Sequence, residues 1–104
     1  MNWRFWQRGE RICIDVDPAQ VTVVRFLLRF GPAPQDRLYS EVAVTSGLDR
    51  GTFMLSLADL VSKTVIEPRF QPEDGETWFV LTALGRRLKG KLPQSTRSSL
   101  SVYL

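Results

Sequence analysis

The stretch LYSEVAVTSGLDRGTFMLSLADLVSKTVIEPRFQPEDGETWFVLTALGRRL, Leu38 to Leu88, orders the rest of the chain around it. Leu38 and Val42 stand four apart and face inward together, and Ala43 is small enough for a close crossing by a following helix. This spacing predicts a helix from about Asp36 to Thr45. Ser46-Gly47-Leu48 then makes a tight turn, in which Gly47 takes a left-handed conformation at little cost and Leu48 plugs the corner. Asp49 is a good N-cap. The next helix runs from it to about Lys63, with Phe53, Leu57 and Leu60 as its buried stripe. Val65-Ile66 opens a strand that Pro68 confines to an edge or an end. Gln71 to Gly75 is dense in turn formers, Asp74-Gly75 is a hairpin signal, and Trp78-Phe79-Val80 is the return strand. Thr82 can cap a fourth helix over Ala83 to about Leu92, stopped by Pro93.

Working towards the N-terminus, Asp17-Pro18 is a strong helix start: an acid that caps free N–H groups, then a proline at the first helical position. Val21, Val24, Leu27 and Leu28 recur at helical spacing, with Thr22, Arg25 and Arg29 on the opposite face. Gly31 ends this helix, and Pro32 and Pro34 prevent its continuation. Before it, Trp3 and Phe5, then Ile12, Ile14 and Val16, alternate with polar neighbours, which argues strands. Gln7 to Glu10 is a candidate hairpin turn. This segment either covers one end of the core or serves as an arm that pairs with a second subunit. Cys13 is expected to be an inert, buried small hydrophobe. Gln94 to Leu104 reads as a mobile tail or a short docked strand. The expected organisation is one domain over 1–93, with an N-terminal strand or hairpin arm at 1–16, and a tail at 94–104.

A chain of 104 residues is long enough for a single core. No apolar run reaches the roughly 18 residues needed to span a bilayer, so no membrane association is expected. Arg4, Arg8, Glu10 and Arg11 interrupt anything like a signal peptide. A lone cysteine fits a reducing cytoplasm. The absence of histidine removes the commonest general base and the commonest metal ligand, and with one cysteine it excludes the usual zinc sites. No phosphate loop, nucleophile elbow or paired acidic motif occurs. The reading is therefore non-enzymatic, with no cofactor.

From Leu38 to Leu88 the chain resembles the winged helix-turn-helix of bacterial transcriptional regulators of the MarR and PadR types. Val42-Ala43 with Gly47-Leu48 resembles the pairs around the turn. Asp49-Arg50-Gly51-Thr52 resembles the polar start of the recognition helix, and Leu60 followed by Ile66-Glu67 its passage into the wing. Trp78 to Thr82 with Gly85-Arg86 resembles the return strand and the opening of the last helix. The resemblance implies an α+β fold: a three-helix core, a two-stranded wing, a C-terminal helix and an extra N-terminal strand or hairpin. It implies a homodimeric regulator that binds double-stranded DNA. Arg50, Thr52 and Ser56 would lie near bases, and Arg37, Lys63 and Arg69 would hold phosphates. Helix one, the Trp-rich arm or the tail would make the dimer. The chain departs from the pattern at Thr64, where glycine is usual, at Ser46, where an apolar residue is usual, and at Leu55 and Asp59, where DNA-contacting polar groups are common.

Those departures support a second reading. With Phe53, Leu57 and Leu60 inward, a 100° step places Gly51, Leu55, Ala58 and Ser62 outward. None of these makes bidentate contacts to base edges. Around them Arg37, Arg50 and Lys63 are outnumbered by Asp36, Glu41, Asp49, Asp59 and Glu67. The hairpin sets Arg69 against Glu73, Asp74 and Glu76. Positive charge gathers instead near the two ends. Arg86, Arg87, Lys89 and Lys91 form either a phosphate-binding patch or a solvated helix end. The alternative function is therefore a protein-interaction module with little or no DNA binding. Its contact would be the apolar strip Met54, Leu55, Ala58 and Val61, with Trp3 and Trp6 as further interface residues. Trp78, like those two, is expected in the core or a dimer seam rather than stacked on bases.

Overall fold

The computed structural model describes residues 12–93 and 98–104. Trp3, Trp6 and the candidate hairpin at 7–10 lie outside the described residues. The element order is β1 (Cys13–Val16), α1 (Pro18–Phe30), β2 (Ala33–Pro34), α2 (Gln35–Ser46), α3 (Arg50–Ser62), β3 (Ile66–Gln71), β4 (Glu76–Leu81), α4 (Ala83–Arg86) and β5 (Leu100–Tyr103). Helices α1, α2 and α3 form the core, and β3–β4 is the wing. The fold is α+β, a winged helix-turn-helix.

Helix α1 is the element the others close around: it touches β1, α2, α3 and β4. Asp17 accepts from the Gln20 backbone N–H at 2.7 Å, and the Gln20 side chain accepts from the Asp17 N–H at 2.9 Å, closing a capping box. Val21, Val23, Val24, Phe26 and Leu27 are buried, a wider face than the spacing predicts, because the strand pair covers α1 as well. Leu38 and Val42 from α2, and Phe53, Leu57 and Leu60 from α3, complete the core in the predicted phase. No helix of the described residues is long and apolar enough to cross a membrane.

The wing registers Ile66 opposite Leu81 through to Gln71 opposite Glu76, and Gly75 takes φ 69° in its turn. Strand β4 sits between β2 and β3, so Pro68 occupies an edge strand, where its missing donor costs no ladder bond. Ala33 and Pro34, of which the sequence reading took only the proline, as a bar to helix continuation, pair with Phe79 and Trp78. Proline suits this outer strand for the same reason.

Two expectations are corrected. The fourth helix stops at Arg86 rather than about Leu92. Beyond it the backbone closes i,i+3 turns, Leu88 to Gly85 and Lys91 to Leu88 among them, and Gly90 at φ 79° breaks the helical run. Cys13 is exposed, not buried: alternation turns Ile14 and Val16 inward and leaves Cys13 and Asp15 outside. Of the two readings of the tail, the docked strand is the one found over 100–103, with Ile14 opposite Val102 and Asp15 opposite Ser101.

Helix α3 ends through Thr64, which takes φ 60° and is the only non-glycine with positive φ among the described residues. A β-branched side chain there is strained. Replacing Thr64 by Gly should stabilise the domain by about 0.5–1 kcal/mol, strain relief less the added freedom of the unfolded chain, as read by urea denaturation. Gly85 shows the opposite constraint. A Cβ there would overlap the Val65 carbonyl and approach Leu81 Cδ2 to 2.8 Å. Gly85→Ala should therefore cost about 2–3 kcal/mol in the same assay.

Candidate nucleic-acid interface

The turn between α2 and α3 sets the exposed face. Gly47, at φ 69°, caps α2 through its N–H to the Ala43 carbonyl. The Tyr39 ring meets Phe53 edge-on at 5.2 Å, and its hydroxyl donates to the Leu48 carbonyl at 3.4 Å. Asp49 caps α3 by accepting from the Thr52 backbone N–H and from the Thr52 hydroxyl, the latter at 2.6 Å. Those bonds hold the Asp49 carboxyl below its ordinary range.

The predicted contact residues separate into two groups. Arg50 is exposed at the start of α3. Its guanidinium lies 4.3 Å from the centre of the Tyr39 ring and 3.1 Å from Asp36. Arg37 sits over the Phe26 ring at 5.4 Å and 3.9 Å from Glu41. Arg69, on the wing, pairs with Glu67 at 3.0 Å. These pairs are open to solvent, so each cation can exchange its partner for another anion at small cost. Thr52 is exposed, its hydroxyl donated to Asp49.

Ser56 and Lys63 form the second group, and both are corrections. Ser56 is 7% exposed and its hydroxyl donates to Asp17 at 3.2 Å, so it faces α1 and not a groove. Its position in the turn adjacent to Leu57 places it on the inner flank of the stripe. Lys63 is half-exposed but tethered: its ammonium donates to the Asp15 carbonyl at 2.6 Å and to the Asp59 carboxylate at 2.7 Å. It ties α3 to β1, and its charge is already engaged by two oxygens.

Between these groups lies a buried polar network that the sequence reading missed. Gln20, 3% exposed, donates to the Ser56 carbonyl at 3.1 Å and to Asp59 at 2.8 Å while its Oε1 accepts from Asp17. An available signal was the Asp17-to-Gln20 spacing of a capping box. The network locks α3 against the start of α1 and so fixes which face of α3 is turned outward.

That outward face is Gly51, Leu55, Ala58 and Ser62, all exposed, with Met54 beside it. Leu55 is 73% exposed. Val61 instead packs partly against the core. Trp78 is half-buried in β4, its indole N–H donating to Asp74 at 3.3 Å. Arg86, Arg87, Lys89 and Lys91 are exposed around the turns after α4, away from any long helix.

No protein-family model matches this sequence, and no curated protein does. Solved structures do. A probable transcriptional regulator from Pseudomonas aeruginosa is 25% identical over 69% of this chain and 52% of its own, with a TM-score of 0.57. The PcaV transcriptional regulator from Streptomyces coelicolor, solved with its natural ligand, is 26% identical over 70% of this chain and 50% of its own, with a TM-score of 0.61. Overoxidized AbfR bound to DNA shares the fold at 17% identity and a TM-score of 0.59, over 86% of this chain and 59% of its own. The chain spans about half the length of the first two regulators.

The network carries a pH signature. Lys63 first and Gln20 second hold the Asp59 carboxyl below its ordinary value of 3.8. A depressed carboxylate contributes stability above its unfolded pKa and loses it as pH falls through the folded one. The stability difference between the wild type and Asp59→Asn should therefore be full at about pH 7 and shrink as pH falls below 3.8 through the lowered folded-state value, by urea denaturation across pH.

Proposed function

We propose that this chain, whose winged helix-turn-helix resembles that of MarR-type transcriptional regulators, binds double-stranded DNA as a non-enzymatic, dimeric regulator of transcription in the cytoplasm. The observation that carries the reading is geometric. Helix α3 stands with one whole face in solvent beside a two-stranded wing, in a fold whose solved neighbours are transcriptional regulators. One neighbour of the same fold was solved on DNA. The outer face of α3 enters the major groove, with Arg50 and Thr52 at its leading end. Arg37 from α2 and Arg69 from the wing reach phosphates. The single domain at 1–93, with its arm and tail, is the binding unit.

This assignment predicts the strength of binding as well as its place. Few polar groups face the groove, so affinity rests on phosphate contacts and sequence discrimination is shallow. Binding to generic duplex should weaken with salt, with a slope of log affinity against log salt of about −3 per copy for three arginine contacts. Arg50→Glu should reduce affinity by at least about tenfold in fluorescence anisotropy. Ser56→Ala, corrected for any loss of folded protein, should leave affinity unchanged.

One observation favours a second reading. Leu55 is largely exposed at the centre of the face that reads bases in the first one. If α3 docks a protein instead, duplex does not bind even at low salt, Arg50→Glu changes nothing, and Leu55→Asp breaks a partner complex without unfolding the chain.

A further inference from the structure

The β1–β5 pair has one unguarded edge. The Leu104 N–H donates to the Ile12 carbonyl at 2.8 Å, and the register carries this bonded pairing on to Ile14–Val102 and Val16–Leu100. Antiparallel ladders alternate, so Cys13, Asp15, Ser101 and Tyr103 turn their main-chain groups to the outer edges. Asp15 agrees: its carbonyl, on the far side of β1 from β5, accepts from Lys63 at the end of α3. Strand β1 therefore stands between α3 and β5, and the Lys63 side chain obstructs its outer edge. In the other sheet both outer strands carry a proline, Pro34 in β2 and Pro68 in β3. Strand β5, Leu100 to Tyr103, has no proline, glycine or charge, the usual guards against strand addition. Among the described residues no strand but β1 pairs with it.

That edge is complementary to itself. A two-fold axis through Val102 sets Ser101 of each copy opposite Tyr103 of the other, where their outward N–H and C=O groups exchange bonds in both directions. The same register sets Leu100 opposite Leu104 and Val102 opposite Val102. Residues directly across a ladder share a face, so the rows through both copies read Val16–Leu100–Leu104–Ile12 and Ile14–Val102–Val102–Ile14. Every position in them is apolar. In one copy Leu100 and Leu104 are only partly buried and Ile12 is 44% exposed, so the apolar face ends unfinished where a second copy would extend it. The neutrality of β5 favours self-pairing further. A chain of net charge +3 meets itself there without like charges across the seam.

We propose that β5 pairs antiparallel with β5 of a second copy of this chain, joining two strand pairs into one four-stranded sheet. The seam lies on the side of β1 turned away from α3 and takes no residue assigned above to DNA. This pairing rests on the dimeric reading of the function and supplies its surface. One four-residue strand is a small seam against the roughly 1,000 Å² of a standard interface, so the dimer is reversible and its fraction follows chain concentration.

Sedimentation velocity on the full chain should show a dimer whose fraction grows between about 10 µM and about 300 µM. No charge crosses the seam, so about 0.5 M salt should leave the dimer in place while it releases duplex. Tyr103→Pro removes seam donors and no bond to β1. Ser101→Lys/Tyr103→Lys sets lysine opposite lysine across the seam and keeps the backbone intact. Each should raise the dimer dissociation constant at least about tenfold at an unchanged urea midpoint. The lysine variant decides where the proline variant unfolds. A wild-type chain that stays monomeric throughout that range, a dimer dissociated by salt, or a dimer that the lysine variant leaves unweakened overturns the proposal. Arg50→Glu should dimerise like wild type. Duplex binding by a chain that lacks this seam leaves the DNA assignment standing, so the two readings fail separately.

Discussion

The carboxamide of Gln20 cannot be buried without partners, because an unsatisfied buried amide costs about 1–3 kcal/mol. Three bonds satisfy it: one from the cap of α1, one to the backbone of α3, and one to Asp59. Each fixes a direction. The apolar stripe alone, Phe53, Leu57 and Leu60 against α1, would permit α3 to roll by a fraction of a turn. The amide selects one rotation, and Ser56 and Lys63 confirm it from either side. The exposed face of α3 follows from that choice, so the presentation of the candidate interface depends on a polar contact at the far side of the same helix.

Charge is distributed to match. The residues that carry α2, α3 and the wing are acidic on balance, while α1 and the turns after α4 gather arginine and lysine. The cations at the candidate interface are few and each already has a modest partner: Arg50 between Tyr39 and Asp36, Arg37 near Glu41, Arg69 beside Glu67. Such pairs keep the arginines oriented without holding them tightly. An interface of this kind favours contact with a backbone over discrimination among bases.

Much of the fold was legible because local signals agreed with one another. Asp17-Pro18, Gly47 and Asp49 each mark an element end, and each end stands within a residue of its expected place. Thr64 drew notice as a residue in a glycine position, and it adopts the left-handed backbone that glycine would. What escaped the sequence was whatever depends on neighbours distant along the chain. Ala33 and Pro34 gave no strand signal, since a two-residue strand exists only by pairing with β4. Ser56 looked like a groove contact because it is polar and helical; its burial comes from Asp17, thirty-nine positions earlier. Lys63 was tethered along the surface by Asp15, forty-eight positions earlier. Cys13 was misplaced by residue type, although the alternation around it pointed outward.

The pairing of β1 with β5 joins segments 86 positions apart at Asp15 and Ser101. The hydrogen-bonding edge of β1 therefore stays unpaired until residues 100–103 have been made and brought back. On the ribosome the helices and the hairpin have all their own contacts well before that point, whereas the first strand waits. During that interval its open edge is available to any other unpaired strand, so the order of synthesis, more than equilibrium stability, sets the period in which this chain is most exposed to aggregation.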